Sequence, residues 1–176
     1  MLKLKFILLN FLLIVLINNY SAAEQKQAIK IGILANRGIN KCIELWQPTI
    51  DHLNKVLPNY SIQLTPLTYS SIDSAISKAE IDFVFCNPAE YIRLEKLYRI
   101  NKQATIVYQR GYKKHTLFGG VIFVKASKPI YKIEDLKGKS IAASNEHSFG
   151  GWIAAYAAFL NHDINPYTDC SGLHFL

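Results

Sequence analysis

Apolar and polar positions along the chain change period several times, and each change marks an element. Ile29 to Leu34 (IKIGIL) is a short apolar strand followed by the loop Ala35-Asn36-Arg37-Gly38. Ile43, Trp46, Ile50, Leu53 and Leu57 then recur three or four residues apart, which predicts an amphipathic helix stopped by Pro58-Asn59. Ser61 to Leu67 alternates as a half-buried strand. Ser70 or Ser71 can cap a second helix with Ile72, Ala75, Ile76 and Ala79 on one face. Ile81 to Cys86 (IDFVFC) reads as a buried strand, and Asn87-Pro88 opens a helix with proline in its first turn and Tyr91, Leu94 and Tyr98 inward.

Beyond that helix, Ala104 to Tyr108 and Phe118 to Lys125 (FGGVIFVK) are predicted strands, the second with a glycine pair suited to a bend. A turn at Asp135 to Lys139 leads into a strand from Ser140 to Ala143. Trp152, Ala155, Tyr156, Phe159 and Leu160 mark a helix, Asn165-Pro166 ends that segment, and Leu173 to Leu176 begins one more strand. Alternating β and α units predict an α/β fold with a mainly parallel sheet covered by helices. In such sheets ligands sit beyond the carboxyl ends of the strands. Asn36-Arg37, Thr68-Tyr69-Ser70, Asn87-Pro88 and Ser144 to Gly150 are the loops at those ends, and polar donors collect in all four.

The first residues address the compartment. Lys3 and Lys5 precede an apolar run from Phe6 to Ile17, and Ser21-Ala22-Ala23 offers the small residues that a signal peptidase reads. Twelve helical residues reach only about 18 Å, short of a bilayer core of about 30 Å. Residues 1–23 are therefore expected to be a signal peptide, cleaved to leave Glu24 first in the periplasm, with an uncleaved N-terminal anchor as the alternative. Removing Lys3 and Lys5 lowers the formal net charge from +7 to +5. Export and the scattered charges argue against a nucleic-acid partner, while a mild positive field gathers small anions. The three cysteines, Cys42, Cys86 and Cys170, carry no metal-ligand spacing; free buried thiols are expected, with a Cys42–Cys86 disulfide as the alternative. Neither a cofactor nor a metal is implied.

"IGILANRG", "WQPTIDHL", "IDFVFCNPAEY", "FGGVIFVKAS", "IEDLKGKSIAASNEHSFGGW" and "INPYTD" follow one another in an order that resembles the PhnD-like periplasmic phosphate-, phosphite- and phosphonate-binding proteins. Within that group, "RG" after the first strand, "WQPT" and "SFGGW" are most similar to the sensing domains of TtrS-like (tetrathionate) sensor histidine kinases. The resemblance implies a type II periplasmic-binding fold: a first lobe over residues 24–115, and a second beginning at 116 and cut off by residue 176, inside an apolar run. It implies a periplasmic domain, tethered to the membrane in a full-length sensor, that binds a small anion. An ABC permease or the protein's own membrane-embedded kinase half would be its partner. No catalysis is implied; a hydrolase is a distant alternative, because no G-x-S-x-G elbow accompanies Ser148.

Family hydroxyl positions fall at His147, Ser148 and Phe149, with Gly150 as the following glycine, and Tyr69 and Tyr91 fall where the family places binding tyrosines. Phe149 offers no side-chain donor and His147 replaces a hydroxyl. Those departures, with the "SFGG" of TtrS-like sensors, suit an oxyanion other than a phosphonate, a sulfur-containing one among them. The residues supply their own reason as well. A helix start leaves about four amides unpartnered, glycine permits close approach, Ser148 adds a hydroxyl, and His147 an N–H or, when protonated, a charge. Against this, Ser148 is an ordinary helix cap. Arg37 either pairs with the anion or is a solvated loop residue, and Asn87 either donates to ligand or caps the Pro88 helix.

Overall fold

The computed structural model describes residues 26–176, so the expected signal peptide lies outside the described residues. Strand β1, Gln27–Leu34, is the centre of a three-stranded parallel sheet, flanked by β2, Tyr60–Leu67, and β3, Phe83–Phe85. Ile31 faces Leu64 across one seam and Phe83 across the other. Parallel neighbours need a crossover, and helix α1, Ile39–Val56, supplies it between β1 and β2. It buries Cys42 and Ile50 against the sheet, sets Trp46 half-buried on Phe85 at 4.7 Å, and leaves Ile43 and Leu57 exposed. Asn54 binds α1 to the outer edge of β2, accepting from the Ile62 amide at 2.8 Å and donating to the Ile62 carbonyl at 2.9 Å.

Helix α2, Ile72–Ser77, stops two residues short of the predicted Ala79, which takes a φ of +53° and breaks the helical run. Helix α3, Pro88–Tyr98, follows β3. Leu67, Ile72, Ala75 and Leu94 close a core between these helices and the sheet. β3 is shorter than Ile81 to Cys86, and Phe83 is exposed. At its start the Asp82 carboxylate takes the Lys30 amide at 2.7 Å, a bond that lies outside the ladder.

A second parallel pair is formed by β6, Ser140–Ala143, and β7, Gly172–Phe175. Between them run a π-helical turn, Phe149–Ile153, helix α4, Ala154–Leu160, and a one-turn helix α5, Pro166–Asp169, where only a stop had been expected at Asn165-Pro166. Leu136, Ala143, Trp152, Phe159 and Ile164 form its separate core.

Between the two sheets the prediction fails in a specific way. Of the strand expected over Ala104 to Tyr108, only its last residue is a strand member. β4, Tyr108–Arg110, turns through Gly111 into β5, Lys113–His115, as an antiparallel hairpin. Residues 118–125 form no strand at all, and Val121 and Phe123 are more than three-quarters exposed. A strand exists by pairing, and among the described residues no ladder reaches this run. All three cysteines are free, Cys42 buried and the others half-buried, so the Cys42–Cys86 disulfide alternative is not formed.

Candidate functional site

Four loops leave the strands at their carboxyl ends, and two of the sequence-named residues meet between β2 and β3. Asn87 is the N-cap of α3: its Oδ1 accepts from the Glu90 amide at 3.0 Å. That bond fixes the orientation of the amide and turns Nδ2 outward, where it donates to the Tyr69 hydroxyl oxygen at 3.0 Å and to the His147 carbonyl at 3.4 Å. The Tyr69 and His147 rings lie 5.3 Å apart, tilted by 39°. Of the two roles the sequence leaves open for it, Asn87 takes the cap, and its outward donor joins Tyr69 to His147.

The loop after β6 is built by its own polar groups. Asn145 Oδ1 accepts from the His147 amide at 2.8 Å, and Ser148 Oγ accepts from the Gly151 amide at 3.1 Å. The Ser148 carbonyl receives both the Trp152 and the Ile153 amides, at 2.9 and 3.0 Å. Among the described residues, the amides of Phe149 and Gly150 are left with no acceptor. They stand at the start of twelve continuous helical residues, where the helix carries its partial positive charge.

Tyr69 and Ser148 each accept through their oxygens, so each hydroxyl hydrogen remains to be given away. Burial, with the charge of Glu90 adding, pushes the Tyr69 phenol above its usual value and keeps that hydrogen in place. The loop after β6 thus carries two open amides and one hydroxyl donor, and Tyr69, joined to that loop through Asn87, carries a second. Such donors suit a ligand that accepts hydrogen bonds. Among the described residues no group of three or more metal-ligating side chains forms.

The other named residues fall elsewhere or do other work. Phe149 meets Phe118 edge-on at 5.4 Å, and a Cβ on Gly150 would touch the same Phe118 ring at 3.3 Å. Gly151 has no room for one: it would fall inside the Ser144 hydroxyl and lie 2.8 Å from Ser148 Oγ. Gly151 is thus needed by packing, which leaves Gly150 as the glycine where close approach is open. Tyr91 directs its hydroxyl at Glu95, one turn along α3. Arg37 lines a cavity of about 30 Å³ with Leu34, Cys42, Leu45 and Trp46, and no hydrogen bond or ring contact joins it to the Tyr69–Asn87–His147 group.

Two contributors were missed. Ser144 presses on Gly151, and Phe118 roofs the helix start; the nearest signals were the small-residue contact in "SNEHSFGG" and the aromatic before Gly119-Gly120. Beneath the site, Arg93 clasps Glu90 and Asp73, and Tyr98 donates to Asp73 at 2.7 Å, joining α2 to α3 below Asn87. The guanidinium beside it, with the Tyr98 hydroxyl, holds the Asp73 carboxyl below its usual range.

A family model described as ABC transporter, phosphonate, periplasmic substrate-binding protein matches residues 31–175, through both sheets and all four loops. The chain belongs to the phosphonate periplasmic substrate-binding family. The tetrathionate sensor histidine kinase TtrS of Salmonella typhimurium is 29% identical over 140 residues. That alignment covers 79% of this chain and 24% of TtrS, so the chain spans about a quarter of the length of that relative. Two solved structures share the fold. The ATP-bound XAC2383 protein of Xanthomonas citri superposes with a TM-score of 0.61 at 17% identity, over 86% of this chain and 57% of that one. A binding-protein component of an ABC phosphonate transporter from Pseudomonas aeruginosa gives 0.57 at 14%, over 86% and 51%. The expected α/β architecture of periplasmic binding proteins is what the two parallel sheets of this family member display.

Proposed function

We propose that this chain is a periplasmic solute-binding unit, not an enzyme, and that it takes a small oxyanion between the Tyr69–Asn87 side and the His147–Gly150 loop. The observation that carries this reading is the Asn87 side chain, held by its cap bond and donating to both walls of the gap, beside two open amides and two hydroxyl donors. Tyr69, Asn87, His147, Ser148, Phe149 and Gly150 form the contact set. Arg37, on its own cavity, and Tyr91, turned to Glu95, stand outside that set. The lobes divide near residue 116, in line with one core on each side of that position. Of the two settings, the sensing part of a TtrS-like histidine kinase is preferred, because TtrS aligns over most of this chain. A transport receptor facing an ABC permease is the second reading, supported by the family description.

Calorimetric titration of the full chain with phosphate, phosphite, methylphosphonate, thiosulfate and tetrathionate tests the proposal. Binding of at least one is expected. Ser148→Ala should weaken that ligand roughly ten- to a hundred-fold, the scale of a hydrogen bond to a charged group. A Ser148→Ala variant that melts earlier yet binds the ligand as tightly as the parent would reduce the loop to a helix cap and defeat the reading.

A further inference from the structure

Charge is distributed very unevenly along this chain. No aspartate or glutamate occurs between Glu95 and Glu134, and that stretch carries nine lysines and arginines. The remaining described residues hold nine basic against twelve acidic side chains. At the centre of the acid-free stretch stands the β4–β5 hairpin. Every residue from Tyr108 to His115 is exposed, and Tyr112, beyond Gly111 in the turn, is fully so. Arg110 and Lys113 face each other directly across the ladder, and Lys114 faces Gln109. Among the described residues, none of the three cations has a carboxylate partner.

Two features of this hairpin oppose its own formation. A two-stranded ribbon is marginal by itself in water, and like charges directly opposite each other destabilise a strand pair. A surface of opposite sign would remove the second and offset the first. We infer that the hairpin docks on an anionic phospholipid bilayer, with Arg110, Lys113 and Lys114 on the phosphates and Tyr112 at headgroup depth. The tyrosine decides between a lipid surface and an acidic polypeptide. An amphipathic ring at the tip of a turn, flanked by cations, suits the water–hydrocarbon boundary, where tyrosine is enriched. Acidic side chains would engage the cations and leave that ring in water. The pairing is electrostatic in reach, so it weakens with salt as the Debye length falls below about 10 Å.

Hydrogen–deuterium exchange of the full chain, read by mass spectrometry over residues 108–115, tests this directly. The regional readout separates the hairpin from any insertion of the apolar run at residues 6–17. With vesicles containing phosphatidylglycerol, exchange in the hairpin should slow by roughly tenfold. Vesicles of phosphatidylcholine alone should leave it unchanged, and high salt should reverse the protection. The triple variant Arg110→Glu, Lys113→Glu, Lys114→Glu should lose it. Tyr112→Ser should lose part of it while exchange in β1 and β6 stays as in the parent. Equal protection by neutral vesicles, equal protection by soluble polyglutamate, or protection that survives the triple variant would each overturn the proposal.

Discussion

Asn87 and His147 stand sixty residues apart in the chain, and the side-chain amide of one donates to the backbone carbonyl of the other at 3.4 Å. The same amide reaches Tyr69, so a single asparagine on the β3–α3 corner ties two loops that belong to different sheets. Serine at this position retains a helix cap and removes the outward donor. Asn87→Ser should therefore keep stability within about 1 kcal/mol and weaken the ligand identified by titration roughly tenfold. Asn87→Ala should lose about 1 kcal/mol more, because the Glu90 amide loses its acceptor. Equal melting of the serine and alanine variants would contradict the division of labour between Oδ1 and Nδ2.

The two glycines of the loop should separate cleanly. Gly151→Ala drives a methyl group into Ser144 and Ser148 and is expected to cost about 1–3 kcal/mol in urea unfolding. Adding Ser144→Gly opens the space and should recover most of that loss. Gly150→Ala meets the edge of Phe118 and touches the Gly119 carbonyl at an ordinary contact distance, so it should cost under about 1 kcal/mol, yet it covers an open amide and should reduce ligand affinity. A stable Gly151→Ala single variant would refute the packing argument.

Acid should act through the clasp beneath Asn87. The folded Asp73 carboxyl is held below its ordinary value by Arg93 and then Tyr98, so its contribution is present above about pH 4 and is lost as pH falls through the folded value. Asp73→Asn should flatten the acid side of the stability profile, measured by urea midpoints at descending pH. Asp73 and Arg93 are both partly exposed, so the pH effect is modest. Arg93→Met should do more harm, about 1–3 kcal/mol, because Glu90, 3% exposed, loses its cation.

Cys86 gives a chemical reporter of the same region. Burial, with Glu90 adding, pushes its thiol up to about 11. At pH 8 only about one molecule in a thousand carries the thiolate, against about a quarter for an unshifted cysteine. Native Cys86 should react with a disulfide reagent far more slowly than the unfolded chain. Because the folded value is raised, its stabilising contribution is complete below about pH 8.5 and declines as pH rises through 11. A fast native reaction, mapped to Cys86 by mass spectrometry, would place this thiol in a more polar setting.

Legibility in the sequence followed the range of the interactions. α1, β2 and β6 were readable because one face of each is apolar at the right period and local breakers close them. The Asn87 cap was readable for the same reason, since Asn-Pro before an amphipathic run is a local signal. Residues 118–125 misled because apolar β-branched composition measures fitness for a sheet and says nothing of whether a partner strand is present. The link from Asn87 to His147 was invisible, because nothing local couples a cap to a carbonyl sixty residues away. The Asp73–Arg93 clasp was hidden likewise, its members twenty residues apart on different helices.

Beyond the open amides, the π turn from Phe149 to Ile153 is a length adjuster. Its wider ring, in which the Ile153 amide reaches back to the Ser148 carbonyl, takes up one more residue than an α turn would. Trp152 and Phe159 nevertheless enter the core beneath β6 and β7. Removing one residue from this turn would close the ring to an α turn, and Phe159, beyond it, would keep its place in the core. Relatives could then differ by a residue in this loop and still share one core, and a change of ligand would be tried in the loop while the fold stays where it is.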